Sequence, residues 1–193
     1  PLSMPEGEWT DMGRMNTYAG HRFDPMYMTP EDVDIRDIAH ALSLMCRGGG
    51  HLRYFYSVAQ HCINCADEAR ARGWSRRLQL ACLLHDASEA YISDIIRPVK
   101  VYLDNYLEIE ASIMDGIWRH FGLSDLSESE HAAWKQIDDE MLLYEQHFLM
   151  VGKEDVKLPA MSSEPDVAEH GWREKAEEFL RLYEEIYVSI EEG

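Results

Sequence analysis

The spacing of apolar residues predicts that the chain is helical almost throughout. From residue 34 onward, apolar side chains recur every three or four positions, which is the period of a helix that buries one face. The segment 15–30, MNTYAGHRFDPMYMTP, is instead rich in turn formers and aromatic residues, so it predicts an extended arm or a small hairpin. We therefore expect an all-α protein, a compact orthogonal helical bundle with a short extended N-terminal arm.

Capping residues give the expected helix boundaries. Asp34 and Ser75, together with the S-x-x-E/Q patterns at Ser57 and Ser127, each precede an apolar stripe. The expected helices run from 35 to the segment 47–50, from 58 to Gly73, from Arg76 to about Ala90, from Pro98 to near Gly122, from 128 through Phe148, and over a last segment that buries Trp172, Ala176, Phe179, Tyr183 and Ile186. Residues 150–167 are expected to form a long loop. The middle of the third helix is apolar on every side, so we expect it to be central.

Length and hydropathy indicate one globular domain. The 193 residues are enough for a single core. We expect one domain over 1–193, with its core at about 17–150 and a C-terminal loop and helix at 151–193. No apolar run approaches the roughly 20 residues that cross a bilayer, and the N-terminal residues lack the layout of a signal peptide. The expected location is therefore the cytoplasm, without a membrane partner.

The charge of the chain argues against a nucleic-acid polymer as a partner. Thirty-six acidic residues against eighteen basic ones give a formal net charge of -18 at pH 7, which repels a phosphate polymer over most of the surface. A mononucleotide is compatible with this charge, because a metal ion and one or two arginines reverse the local potential inside a pocket.

The four cysteines are expected to be reduced thiols in the core. Cys46, Cys62, Cys65 and Cys82 all fall within apolar-periodic segments. Cys62 and Cys65 could instead form a redox pair or half of a zinc site. No second CxxC accompanies them, and a spacing of three on an amphipathic helix accounts for the pair.

The stretch LLHDASEAYISD, residues 83–94, places charged groups directly after an apolar run. His85 follows Cys82 by three residues and so continues the buried face of the third helix, and Asp86 lies about 100° further around the axis. A buried aspartate without a partner costs several kcal/mol, whereas a divalent cation between the two side chains would offset that cost. The pair therefore predicts a metal site beside the helix.

Two further metal ligands are expected from other helices. His61 follows Val58 by three residues, which puts it on the inner edge of the second helix as a nitrogen donor. On the fifth helix, Asp138 has apolar residues at its i−4, i+3 and i+4 positions, whereas Asp139 has polar residues on its N-terminal side. Asp138 is therefore the inward candidate.

His61, His85-Asp86 and Asp138, in this order on a helical chain, resemble the H…HD…D signature of the HD-domain metal-dependent phosphohydrolases. The segments DIAHALSLMCR, GGHLRYFYSVAQH, LLHDASEAYISDI and RPVK, and the stretch 138–145, are similar to the bacterial and phage branch related to the 5′-deoxynucleotidases. The resemblance covers roughly residues 17–150 and implies the HD-domain fold.

The resemblance implies a role for each matching residue. The metal ligands would be His61, His85, Asp86 and Asp138, the catalytic acids Glu89 beside the attacking water and Asp94 at the edge of the site, and the phosphate-binding cations Arg47 and, nearby, Lys100. One departure concerns the residue after the arginine. This branch usually has an aromatic residue there, whereas this chain has Gly48, so sugar or base stacking at that position is not carried over.

Several of these residues also have a structural explanation. A buried histidine such as His61 is more often a hydrogen-bonded core residue than a ligand when it occurs alone. Glu89 and Asp94 could be solvent-facing charges at a helix end, and Arg47 could complement the C-terminus of its helix. His120, which precedes a helix end, fits a capping role. His120 and His131 are the only histidines between the HD pair and Asp138, and their spacing does not predict a second metal, so we expect one ion.

The ligand set indicates the reaction. Two imidazoles and two carboxylates suit Mn, Co, Fe, Ni or Zn, and they also admit Mg. We expect a phosphohydrolase acting on a small nucleotide, with deoxynucleoside 5′-monophosphates as the first substrate class. Two alternatives remain, namely a deoxynucleoside triphosphate triphosphohydrolase and a non-catalytic HD-like module that binds a nucleotide or a protein. Exposed aromatic residues of the arm and the last helix favour a homodimer.

Overall fold

The computed structural model describes residues 13–191. It begins with two short antiparallel strands, β1 (Met15–Asn16) and β2 (Arg22–Phe23), in which Met15 pairs with Phe23. The turn between them closes with a hydrogen bond from the Thr17 amide to the His21 carbonyl. The hairpin predicted within 15–30 is therefore confirmed.

Apart from connecting segments, the remainder of the described chain is helical, which confirms the all-α prediction. The α-helices are α1 (Ile35–Leu44), α2 (Val58–Ala71), α3 (Arg76–Leu84), α4 (Glu89–Ile92), α5 (Arg97–Lys100), α6 (Asp104–His120), α7 (Glu128–Leu149) and α8 (Trp172–Glu191). Short 3-10 segments lie at Pro25–Tyr27, Pro30–Asp32 and Arg47–Gly50. The predicted N-caps are confirmed, since the side chains of Asp34, Ser57, Ser75 and Ser127 each accept a backbone N–H.

The pair α2 and α3 forms the centre of the bundle. These two helices pack on each other and both contact α7 and α8, while α1 packs on α2 and α8. Every residue from 79 to 84 in α3 is buried, which confirms that this helix is central. In α8, Phe179 and Ile186 are fully buried, so the core continues beyond residue 150. Among the described residues, no helix has the length and apolar character needed to cross a membrane.

The first predicted helix ends earlier than expected. It stops at Leu44, because Met45 to Arg47 turn into an extended segment that pairs with residues 56–58. The Arg47 amide donates to the Tyr56 carbonyl at 2.9 Å, and the Val58 amide donates to the Met45 carbonyl at 3.0 Å. This pairing satisfies backbone groups that a longer helix would have satisfied internally. It also holds Arg47 beside the start of α2.

The third predicted helix is wrong in its C-terminal part. Instead of reaching Ala90, α3 ends at Leu84, and residues 85–88 form tight turns before α4. The Ala87 amide bonds to the Leu84 carbonyl and the Glu89 amide to the Asp86 carbonyl, which are three-residue rather than four-residue spans. The His85-Asp86 pair therefore projects from a tightened turn that follows α3.

The fourth predicted helix is interrupted. Pro98 lies in the first turn of α5 as expected, but α5 ends at Lys100 and α6 begins only at Asp104. Between them, the amides of Tyr102 and Leu103 again bond three residues back, to Val99 and Lys100. These tightened turns break the continuous helix that the sequence pattern predicted.

The segment between α7 and α8 is a loop, as predicted, and it is bound to one face of α2. Gln60, Asn64 and Glu68 lie four residues apart on that face and are all buried. Gln60 donates to the Asp166 and Ala168 carbonyls, Asn64 donates to the Asp166 carbonyl and accepts from its amide, and Glu68 accepts from the amides of Ser162 and Ser163. The Ser57 side chain accepts the Gln60 amide, as the predicted capping box requires. The Gln60 side chain binds the loop instead of the Ser57 amide, so the second half of that prediction is wrong.

Candidate metal centre

The four predicted ligands come together in the structure. His61 comes from α2, His85 and Asp86 from the turn after α3, and Asp138 from α7. The Nε2 atoms of His61 and His85 are 3.1 Å apart. His61 Nε2 lies 3.3 Å from Asp138 Oδ1 and 3.7 Å from Asp86 Oδ2. His85 Nε2 lies 3.4 Å from Asp86 Oδ2 and 3.7 Å from Asp138 Oδ1. Two atoms that share one ion at about 2.1 Å lie roughly 3.0–3.4 Å apart in octahedral or tetrahedral geometry. The spacing therefore suits a common ion.

Two cysteines adjoin the same centre. Cys65 offers its sulfur together with His61 and His85, and Cys62 offers its sulfur together with His85 and Asp86, with the atoms of each group within 4.8 Å of one another. Burial raises the pKa of both thiols well above the usual value. The structure therefore contains a buried group of histidine, cysteine and aspartate that can hold a metal ion.

Hydrogen bonds on the far side of each imidazole orient the two histidines. His85 Nδ1 lies 2.7 Å from the Cys82 carbonyl, which can only accept, so Nδ1 carries the proton. His61 Nδ1 lies 2.6 Å from Glu145 Oε1. Both bonds turn Nε2 toward the centre, which is how proteins fix the ring orientation of a metal-binding histidine.

Glu145 was not predicted as a site residue, although it contacts three residues at the site. Its carboxylate is buried, and besides His61 it binds the Tyr56 hydroxyl at 2.8 Å and Arg47 Nε at 3.1 Å. A weak signal was present in the sequence, because Glu145 follows Asp138 by seven residues and so shares its face of α7. It did not distinguish Glu145 from the other acidic residues of that helix.

The electrostatics of the centre favour ionised carboxylates. Burial and the Arg47 guanidinium oppose a charge on His61, but Glu145 and Asp138 outweigh them and raise its pKa to about 9. Burial would raise the pKa of Asp86 and of Asp138, yet the neighbouring histidines lower both. At neutral pH an arriving metal ion would therefore displace a proton from His61.

Glu89 is the first residue of α4, directly after the turn that follows α3, and is buried, with an exposed fraction of 5%. Its Oε2 has no hydrogen-bond partner among the described residues. Burial, together with the charges of Asp86 and Asp94, raises the pKa of Glu89 well above its usual value, against the opposing effect of Arg47 and Lys100. Asp94 is half-buried at the end of the same segment. The structure thus places Glu89 beside Asp86, and Asp94 close enough to Glu89 for its charge to act on it.

Arg47 is also at the centre, with its side chain only 14% exposed. Its Nη1 donates to Asp86 Oδ2 at 3.2 Å and its Nε to Glu145, while Nη2 makes no hydrogen bond to a described residue. Lys100 instead pairs with Glu110, and its charge acts on Glu89 from a distance. Of the two predicted phosphate-binding residues, Arg47 therefore lies at the centre, whereas Lys100 lies farther away.

Two cations near Asp138 were not predicted. Arg97 Nη2 lies 3.6 Å from Asp138 Oδ2, and Lys135 Nζ lies 2.8 Å from the same oxygen. Both also bind Asp139, whose side chain is half exposed. Asp138 thus points one oxygen to the histidines and the other to these cations, while Asp139 faces outward.

The cysteines and His120 were also predicted from the sequence. Cys62, Cys65 and Cys82 are buried free thiols and Cys46 is a half-buried one, which confirms that the cysteines are reduced in this structure. His120 Nδ1 donates to the Pro30 carbonyl at the end of α6, so it has a structural contact.

Comparisons with known proteins give relatives but no family. A scan against models of protein families finds no match. The chain is 38% identical over 112 residues to the uncharacterized protein YfdR of Escherichia coli strain K12, a match that covers 58% of this chain and 60% of YfdR. It is 39% identical over 111 residues to an uncharacterized protein of Rhodobacter capsulatus, covering 54% of this chain and 56% of that relative. The chain thus spans less than two thirds of the length of each.

Proposed function

We propose that the protein is a metal-dependent phosphohydrolase of the HD type that removes phosphate from a small nucleotide, with deoxynucleoside 5′-monophosphates as its first substrate class. The observation that carries this proposal is the convergence of His61, His85, Asp86 and Asp138 with inter-donor distances of 3.1–3.7 Å. A divalent ion held by two imidazoles and two carboxylates would acidify a bound water and offset the charge that gathers on phosphorus.

The surrounding residues support phosphomonoester hydrolysis. Arg47 Nη2, which makes no hydrogen bond to the described part of the chain, would donate to a phosphate oxygen next to Asp86. Burial and the charges of Asp86 and Asp94 raise the pKa of Glu89 well above its usual value, which makes its carboxylate a stronger proton acceptor than an ordinary glutamate. It would accept a proton from the attacking water and pass it to the leaving ester oxygen, so that water and phosphomonoester yield orthophosphate and an alcohol. Asp94 would help to keep that proton on Glu89.

A substrate panel tests the proposal. The purified chain is assayed with manganese or cobalt on deoxynucleoside 5′-monophosphates and on the corresponding triphosphates, and released orthophosphate and tripolyphosphate are measured separately. We expect orthophosphate from the monophosphates. Tripolyphosphate release would instead assign the triphosphohydrolase reaction.

Three variants assign the site. Asp86→Ala should abolish turnover, and Glu89→Gln should lower kcat by about 10²–10⁴-fold, as removal of a general acid or base does. Asp139→Ala is the matched control, because Asp139 adjoins Asp138 on α7 but faces Arg97 and Lys135, and it should keep most of the activity. Full activity of Asp86→Ala would contradict the proposal.

A further inference from the structure

A second cluster of metal-ligand side chains lies where the N-terminal hairpin meets α1. His21 at the end of the hairpin turn, Asp34 at the N-cap of α1 and Asp37 in its first turn each offer one ligand atom, and these atoms lie within 4.8 Å of one another. His21 Nε2 is 3.1 Å from Asp34 Oδ2. The cluster shares no residue with the centre described above.

The hydrogen bond from the hairpin accounts for one oxygen of the Asp37 carboxylate but not for the other. Asp37 is buried, with an exposed fraction of 3%, and its Oδ1 accepts the Ala19 amide at 2.5 Å. Its Oδ2 is buried as well and has no hydrogen-bond partner among the described residues. A buried carboxylate oxygen without a partner destabilises the fold, so a partner is expected at that position.

The neighbouring residues are arranged differently. Asp34 is satisfied without a further partner, because its oxygens accept from the Arg36 amide and guanidinium and lie next to His21. Arg36 is 62% exposed and can leave Asp34 for solvent at little cost. His21 is 39% exposed, so an ion from solvent can reach it.

We propose that His21, Asp34 and Asp37 form a second divalent-cation site, separate from the HD-type centre. One imidazole and two carboxylates are a donor set that suits zinc and similar ions, with three protein ligands and open positions for water. The ion would be the positively charged partner that Asp37 Oδ2 lacks, and it would link the hairpin to the first turn of α1. The proposal does not depend on the reaction assigned to the other centre.

Zinc binding to the full chain tests this site by stoichiometry. After dialysis against zinc chloride, we expect two zinc ions per wild-type chain by elemental analysis. His21→Ala and Asp37→Asn should each lower the affinity for the second zinc ion roughly ten-fold or more, as expected for loss of a group that holds a metal. Each variant should then retain about one ion per chain. Because His21 is partly exposed, His21→Ala keeps the test informative if Asp37→Asn folds poorly. His51→Ala, at an exposed histidine outside both clusters, is the matched control and should bind as the wild type does.

Arg36→Ala separates a cation site from a simple salt bridge. Removing Arg36 frees Asp34 from a competing positive charge, so zinc should bind the second site more tightly, by a measurable fold-change in Kd by titration calorimetry. The same titration in the Asp86→Ala background isolates this site from the HD-type centre. A zinc anomalous peak between His21, Asp34 and Asp37 in a crystal would place the ion. A zinc content that His21→Ala and Asp37→Asn leave unchanged, or an Asp86→Ala chain that binds no zinc, would overturn the proposal.

Discussion

Glu145 connects three buried groups that are unfavourable in isolation. It accepts from Arg47 and Tyr56 and lies 2.6 Å from His61 Nδ1. Burial raises the pKa of Glu145, but Arg47 and His61 outweigh it and lower that pKa, so the carboxylate stays ionised. The residue thereby fixes both the ring of a predicted ligand and the guanidinium expected to bind phosphate.

Replacing Glu145 by glutamine should therefore weaken metal binding without removing any ligand. The variant keeps the shape of the side chain but loses the charge that holds His61 and Arg47, and loss of such a partner typically costs about 10–100-fold in metal affinity. The measurement is the Kd for manganese by titration calorimetry. Glu140→Gln is the matched control, since Glu140 lies on the same helix and pairs with Arg72 away from the ligands. Equal manganese affinities of Glu145→Gln and the wild type would show that Glu145 does not support metal binding.

The sequence predicted the four residues that converge at the centre but not the residues that support them, and the reason is physical. Helical period and burial pattern select His61, His85 and Asp138 because ligands must face the interior. Glu145 supports the site through hydrogen bonds to residues distant in sequence, and periodicity carries no information about such pairs. Arg97 was missed for a similar reason, because its approach to Asp138 depends on how α5 is placed.

At the scale of elements, the break between α1 and α2 depends on glycine. Gly48 follows Arg47 with φ +62°, a conformation in which a side chain is strained whatever space surrounds it. An aromatic residue at this position would carry that strain. The absence of an aromatic residue after Arg47, where the sequence differs from the HD branch that it resembles, is thus explained by the backbone of the Arg47–Gly50 segment.

Two alanine substitutions should consequently shift stability in opposite directions. Gly48→Ala should lower the free energy of unfolding by about 1–2 kcal/mol, the cost of a left-handed conformation for a residue with a Cβ. Gly116→Ala, inside α6, should raise it by about 0.5–1 kcal/mol, because an added Cβ there meets no atom within 4 Å. Urea unfolding of both variants measures these changes. Shifts of the same sign would contradict the argument.

Helix boundaries were the least predictable part of the fold. The apolar period continues through His85 and Asp86, so the sequence predicts one helix to Ala90, whereas the structure tightens into three-residue turns at that point. Helical and tightened turns place side chains on nearly the same face, and periodicity does not separate them. The caps at Asp34, Ser75 and Ser127 were predictable because capping is a local interaction.

At the scale of the whole molecule, the candidate metal centre joins three parts of the bundle that are distant in sequence. The predicted ligands come from α2, from the turn after α3 and from α7, and the two central helices meet there. An ion shared by these side chains would cross-link the core and would bind only the folded chain, because the unfolded chain does not hold them together. Metal binding and global stability are therefore expected to be linked.

Removing the metal should lower the melting temperature of the whole domain. At a free metal concentration about 100-fold above Kd, binding stabilises the fold by about 2.7 kcal/mol, which for a domain of this size corresponds to roughly 5–10 °C. Differential scanning fluorimetry with manganese and after chelation measures the shift. Asp86→Ala should lose most of it, because its HD-type centre lacks a ligand, and any remaining metal-dependent shift should disappear when His21→Ala is added. An equal shift in Asp86→Ala and the wild type would show that the ion stabilising the domain is not held at His61, His85, Asp86 and Asp138.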